Sequence, residues 1–302
     1  MSQSAASIKA NNLPAPNPNS VIMEASLAGK KVKLNLDYLN ERITVINYHN
    51  GHIHLLVDFI NNLALRDSFG KIIVVAREKD WQSFLAKGFI LEGVNSHYYR
   101  GLPGYYLVKF LKKERSISSL LIEEDNILQD ILQRPVDTIS FQPPTEYILR
   151  AAITEDIPQM VQLYERVFES YPSPITEPSY LYQLLNKNLF KLVVHGDKIV
   201  SAASAELDHE KRAAELTDCA CLPEYRNQGL NSQLIYSLEQ ELIGLGFNNL
   251  YSIARARSLG INTVFSKLGY TYGGRLINNC TICGQFEDMN LWVKNVVEMN
   301  NE

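Results

Sequence analysis

Several things are missing from this 302-residue chain, and each absence narrows what it can be. No apolar stretch approaches the roughly 20 residues that a membrane-spanning helix needs. The first seven residues, Met1 to Ser7, have neither the charged n-region nor the apolar h-region of a secretory signal. No lysine or arginine block stands out and the net charge is −4, which argues against a nucleic-acid partner. These absences predict a cytoplasmic protein that uses neither membrane nor nucleic acid. Cysteine is scarce, with four residues arranged as Cys219-x-Cys221 and Cys280-x-x-Cys283. Structural zinc draws on C-x-x-C at both ends, and the first pair sits in a strand pattern rather than a knuckle turn. Strand cysteines behave as small hydrophobes, so no metal is expected.

What is present suffices for real cores. Apolar residues make up 46% of the chain and charged ones 21%, with room for two domains. Residues 1–20, rich in Ser, Asn, Ala and Pro, predict a disordered tail. Proline spacing between Arg134 and Pro144 breaks helices and favours extended backbone. It predicts a linker over 135–146, separating a unit at 21–134 from another at 147–302. In the second unit, 147–150 reads as a strand. Thr154 reads as the N-cap of a helix carrying Ile157, Met160, Tyr164, Val167 and Phe168. The prolines at 172 and 174 end that pattern, and a short helix follows through Tyr180, Leu184 and Leu185. Strands at 190–195 and 199–206 flank the turn Gly196-Asp197-Lys198. A long strand at 213–221 then empties into a turn, and a helix with Leu234, Leu238, Leu242 and Leu245 on one stripe follows. Part of this design repeats upstream. Residues 71–77, Phe84 and Gly88-Phe89 echo residues 251–255, Phe265 and Gly269-Tyr270.

The turn after residue 221 carries the most specific signal. An Arg and a Gly at a helix start present unpaired N–H groups and the positive dipole end to a phosphate. Arg226-x-x-Gly229-x-Asn231 resembles motif A of the GCN5-related N-acetyltransferases (GNAT), Q/R-x-x-G-x-G/A, which holds the pyrophosphate of acetyl-CoA. Asn231 departs from the small residue usual there. Residues 262–270 resemble the superfamily's motif B. The resemblance implies an α/β (α+β) fold, with a mixed, mostly antiparallel central sheet in a C-terminal GNAT domain. It implies a degenerate, non-catalytic GNAT-like domain before it, which packs or mediates a homodimer. It also implies acetyl-CoA as cosubstrate, contacted by Cys219, Ala220, Cys221, Arg226, Asn227, Gln228, Gly229, Leu230, Asn231, Asn262 and Phe265.

A narrower resemblance rests on Tyr171-Pro172, Ser204-Ala205-Glu206, Glu215-Leu216-Thr217-Asp218, residues 252–256, Gly273-Gly274, Asn278-Asn279 and residues 287–294. These phrases resemble β-lysine N-acetyltransferases, which make Nε-acetyl-β-lysine, a compatible solute. Membership implies a pathway partner, a lysine 2,3-aminomutase that supplies β-lysine.

Acetylating an ammonium group requires a base, an oxyanion donor and a route for a proton to the thiolate. Glu215 stands eleven residues before Arg226, the distance at which histone-acetylating GNATs place their glutamate base. It is the first candidate for the base, expected to act through water, and Glu206 is the second. Phe265 occupies the place of the tyrosine that many GNATs use as thiolate acid. Alternation sets Glu215 and Thr217 on one strand face and Asp218 on the other. β-Lysine carries two ammonium groups and a carboxylate, so Glu206, Asp218 and Glu287 are expected at the amines and Arg255 at the carboxylate, with Tyr171 and Asn279 lining the pocket. Two other readings fit the same residues: a GNAT acting on lysine, a polyamine or an amino sugar, and a non-catalytic acyl-CoA sensor.

Overall fold

The computed structural model describes residues 11–14, 19–49, 52–134 and 146–296. In the N-terminal half, strands β1 (Asn11–Pro14), β2 (Ser20–Leu27), β3 (Lys30–Asp37) and β4 (Arg42–Asn47) lead into helix α1 (Ile53–Arg66). Strand β5 (Lys71–Arg77), helix α2 (Trp81–Leu85), strands β6 (Ile90–Tyr99) and β7 (Leu102–Phe110) and helix α3 (Leu121–Gln133) follow. The C-terminal half begins with β8 (Tyr147–Ala151), α4 (Ile157–Val167) and α5 (Pro178–Leu185). It continues through β9 (Leu189–His195), β10 (Lys198–Asp208), β11 (Ala213–Cys221), α6 (Leu230–Gly244) and β12 (Asn249–Arg255). Helix α7 (Leu259–Lys267) and the hairpin of β13 (Thr271–Ile282) and β14 (Gln285–Asn295) complete it.

One sheet of fourteen strands runs through both halves in the order β1-β2-β3-β4-β5-β7-β6-β13-β14-β12-β11-β10-β9-β8. Counted outward from the β6–β13 junction, the two halves have the same strand order. Each has one parallel pair, β4–β5 or β11–β12, and is otherwise antiparallel. A parallel pair needs a crossover, and α1 and α6 supply it. The partial repeat expected from sequence is therefore a repeat of the whole strand order. The halves differ after their first strands. Helices α4 and α5 separate β8 from β9, whereas only residues 15–19 separate β1 from β2.

The junction depends on glycine. Gly274 pairs with Gly93, and a Cβ on Gly274 would lie 2.2 Å from the Glu92 carbonyl oxygen. Beside it, Asn95 and Asn249 exchange side-chain amide bonds of 3.0 and 2.7 Å, both residues fully buried. Lys71, also fully buried, donates to Glu92 (2.9 Å) and to the Ile277 carbonyl (2.7 Å). Tyr106, Leu276, Cys280, Ile282, Met289, Leu291 and Val293 form a small core across the same junction.

Three local expectations need correction. Residues 11–14, placed in a disordered tail, form the outermost strand, paired with β2 from Asn11↔Glu24 to Pro14↔Val21. An edge strand tolerates proline because one side of its ladder is unpaired. Thr154 does not cap α4 with its side chain. A short 3-10 turn at 154–156 precedes the helix, and Asp156 accepts from the Ile153 N–H (2.8 Å) and from Arg150 (2.6 and 2.7 Å). Leu234, Leu238 and Leu242 are fully buried, but Leu245 is 58% exposed because α6 stops before it. The predicted linker, apart from Glu146, lies outside the described residues. No helix among the described residues is long and apolar enough to cross a membrane.

Candidate active site

The parallel pair β11–β12 is joined only from Ala213↔Asn249 to Glu215↔Tyr251. Beyond those three pairs the strands part, while β11 runs on to Cys221 and β12 to Arg255. Among the described residues, no strand lies opposite the main-chain groups of residues 216–221 that face the gap. β11 also bends in this stretch: Asp218 has φ +51° and the pairing with β10 skips from Ala202↔Ala220 to Ser204↔Thr217. Such a bulge re-aims side chains next to a gap. Cys219, Ala220 and Cys221 lie on this open stretch, and all four cysteines are free thiols.

The gap leads to the start of α6. Gly229 is left-handed (φ +75°) at the N-cap, Asn227 is left-handed just before it (φ +62°), and the Gln233 N–H closes the first turn onto Gly229. The N–H groups of the first helical residues have no intrahelical acceptor, so Leu230 and Asn231 place them at the mouth of the gap. Asn231 turns its side chain inward, accepting from Ser201 Oγ at 2.9 Å. The amide at this usually small position is thereby anchored to β10. Gln228 is likewise engaged, accepting from Tyr147 Oη at 2.5 Å, and Arg226 Nε donates to the Cys221 carbonyl (3.3 Å).

Three carboxylates line the strands beside the gap. Glu206 and Glu215 are directly opposed across β10 and β11, and Tyr251 continues the same row on β12. Burial pushes the Glu215 carboxyl up to about 8; the charge of Glu206 adds to this, and a hydrogen bond with Tyr251 opposes it. Glu206 is raised to about 7 by surrounding protein atoms and by the charge of Asp218. Its side chain is still exposed at the mouth of the cleft, so water screens part of that effect. Like charges opposed across a sheet disfavour double ionisation. Asp218 is buried and accepts from Ser204 Oγ (2.6 Å) and Tyr171 Oη (2.8 Å). Burial raises its carboxyl, and those two bonds pull the other way.

The model of the Acetyltransferase (GNAT) family matches residues 157–270. N-acetyltransferase YodP of Bacillus subtilis is 37% identical over 88% of this chain and 97% of its own. The β-lysine N(6)-acetyltransferases of Methanococcus maripaludis and Methanosarcina mazei are 32% and 34% identical, over 85% and 81% of this chain and 93% and 98% of theirs. The chain belongs to the GNAT acetyltransferase family. As a GNAT enzyme it is an N-acetyltransferase that takes acetyl-CoA as cosubstrate, and the sensor reading falls away. The expected α/β fold with its mostly antiparallel sheet is the one observed.

Within this GNAT enzyme, the side chains of two residues assigned to the cofactor are committed to the protein interior. Asn262 is fully buried, and its amide donates to the Arg255 and Ser258 carbonyls (2.8 and 2.7 Å) while accepting from Asn290 and Trp292 (2.9 and 2.7 Å). Every polar direction of the group is consumed by the end of β12, the start of α7 and the middle of β14, which it ties together. Phe265 is fully buried against Tyr270 (centroids 5.0 Å apart) and is core. Arg255 and Glu287, expected to meet separate parts of the acceptor, bind each other through two bonds of 2.7 and 2.5 Å. Asn279 gives its carbonyl to Arg42 of the N-terminal half (2.9 Å), and its side-chain oxygen is buried without a partner among the described residues. Sequence reasoning missed Ser204, Tyr251 and the N-terminal half's Tyr98, whose ring meets Tyr251 at 5.9 Å. Ser204 and Tyr251 stood inside phrases already singled out, but only strand register shows which carboxylate each one meets.

Proposed function

We propose that this enzyme transfers the acetyl group of acetyl-CoA to the ε-amine of β-lysine, giving Nε-acetyl-β-lysine. The observation that carries the reading is the opposed pair Glu206–Glu215, with Asp218 nearby, beside the unpaired stretch of β11. A cluster of carboxylates with raised pKa values suits an acceptor that arrives with two positive charges. The named β-lysine relatives support the same substrate class.

In this reading the α6 turn, through Arg226 and the amides of Gly229 to Asn231, holds the pyrophosphate, and the edge of β11 aligns the pantetheine arm. Ionised Glu215, through one water, takes a proton from the ε-ammonium. The neutral nitrogen attacks the thioester carbon, whose developing oxyanion is met by a main-chain N–H on the open edge. The C–S bond breaks, and the second proton shed by the nitrogen goes to the departing thiolate. That route needs no tyrosine at position 265. Glu206 and Asp218 hold the acceptor's charge in place. A lysine 2,3-aminomutase would supply β-lysine, and the product would act as a compatible solute.

The test is kcat/KM for β-lysine against α-lysine and spermidine, with the acetylated nitrogen located by NMR. Moving one amine by a carbon takes it away from a fixed carboxylate. An unpaired charged partner costs on the order of 1.5–3 kcal/mol, about tenfold or more in specificity. Equal rates for the two isomers would remove β-lysine as the preferred acceptor, and acetylation of the β-amine would remove the ε-amine as the site of transfer.

A further inference from the structure

The N-terminal half has its own gap, at the position equivalent to the one beside Glu215. Strands β4 and β5 are paired only from Arg42↔Lys71 to Val45↔Val74, and past that point Ile46, Asn47 and Arg77 diverge. A cavity of about 580 Å³ opens there, lined by Lys33, Ile46, Asn47, Tyr48, Arg77 and Tyr99 from the N-terminal sheet and by Arg100 beside it. Its remaining wall comes from the other half: Asp208, Glu210 and Lys211, at the tip of the β10–β11 hairpin. That volume suits a small metabolite.

The lining has four cationic residues against two acidic ones, in a chain whose net charge is −4. The cations are held in place. The Arg77 guanidinium lies 5.5 and 5.2 Å from the Tyr48 and Tyr99 ring centres and donates to the Tyr48 carbonyl (3.4 Å). Arg100 Nε donates to the Glu210 carbonyl (2.7 Å), which fastens the hairpin tip to the rim. Asp208 and Lys211 neutralise each other through the Lys211 ammonium and backbone N–H, and Lys33 lies 3.9 Å from Glu24, so Arg77 and Arg100 carry the excess charge of the rim against Glu210. The hairpin itself leads to the active site, since Asp208 lies just past Glu206 and Lys211 just ahead of Glu215.

We propose that this cavity is a second ligand site, which takes a small organic anion carrying two acidic groups, and that its occupancy is felt at the Glu206–Glu215 pair through the β10–β11 hairpin. The second part rests on the catalytic reading above; the first does not. Carboxylates and phosphates share the required chemistry, and two probes separate them. Citrate and inorganic pyrophosphate are titrated calorimetrically into the full-length enzyme at 0.15 M salt, where exposed charges are screened within about 8 Å. Saturating CoA is present throughout, so that the α6 turn is already filled. One probe should bind with submillimolar affinity, and the double variant Lys33→Gln/Arg100→Gln should weaken it at least tenfold. The same probe should change the acceptor KM of the wild type at least twofold and leave that of the double variant unmoved. Absence of binding by both probes, or equal binding by the double variant, overturns the site. Binding with an unchanged KM overturns the coupling. Thermal unfolding of the double variant near the wild-type temperature shows that a lost titration is not lost folding.

Discussion

Replacing Glu206 by Gln tests the electrostatic core of the site without removing the proposed base. Glu215 lies directly opposite, and the negative charge of Glu206 helps to hold its proton on. Side chains opposed across antiparallel strands are about 5.5 Å apart. Because Glu206 is exposed, an effective dielectric constant of about 40 is appropriate, between a surface pair and bulk water. The repulsion is then roughly 1.5 kcal/mol, or about one pH unit. Glu215 acts as a base only when ionised, so activity is lost as the pH falls through its pKa. Removing the neighbouring charge lowers that pKa, and the acidic limb of the kcat/KM profile should therefore move down by about one unit. The assay is initial-rate kinetics from pH 5.5 to 9.5 at saturating acetyl-CoA, with thiol release as the readout. An acidic limb that stays in place, or moves up, would mean that Glu215 does not set it.

Three further outcomes are expected. Glu215→Gln should lower kcat by about a hundred- to ten-thousand-fold while CoA affinity, measured by calorimetry, stays near wild type; a loss under tenfold would transfer the base role to Glu206 or to solvent. Gly229→Val forces a β-branched residue into a left-handed conformation at φ +75°, which costs on the order of 1–2 kcal/mol and should raise the CoA dissociation constant about tenfold. Unchanged CoA affinity would place the phosphate site elsewhere. Gly274→Ala brings a Cβ within 2.2 Å of the Glu92 carbonyl at φ +144°, so the β6–β13 junction must shift; urea unfolding should show a loss of about 2–4 kcal/mol, and an unchanged midpoint would show the junction to be slack.

Local patterns were legible where neighbouring residues in sequence decide the structure. The β9–β10 turn and the α6 stripe as far as Leu242 were both readable, because chain chemistry within a few residues fixes each of them. Failures came where distant segments decide. Asn262 reads as a polar residue early in a helix, and only the return of β14 with Asn290 and Trp292 consumes its amide. Arg255 and Glu287 are thirty-two residues apart, so their mutual engagement depends on the register of β12 and β14. Asp218 could not be assigned by alternation, since the bulge that turns it toward Tyr171 and Ser204 breaks the two-residue period. The Glu206–Glu215 opposition is a property of hairpin register, and the sequence offered the two residues without their pairing.

The meeting of β6 and β13 has a consequence for how such a chain can evolve and assemble. Two copies of one sheet, joined edge to edge in an antiparallel sense, have the geometry of a twofold dimer written into a single polypeptide. Covalent linkage holds the halves at an effective concentration of order millimolar, so a junction resting on a small apolar core, a few buried polar pairs and the close approach of Gly93, Gly273 and Gly274 suffices. Linkage also removes the requirement that both copies remain identical. A symmetric dimer would carry the carboxylate row twice, whereas here one copy keeps it and the other is free to substitute Arg77 and its tyrosines at the matching gap. The edges used for this union are spent, leaving β1 and β8, among the described residues, as the outer strands through which a larger assembly built by strand pairing would grow.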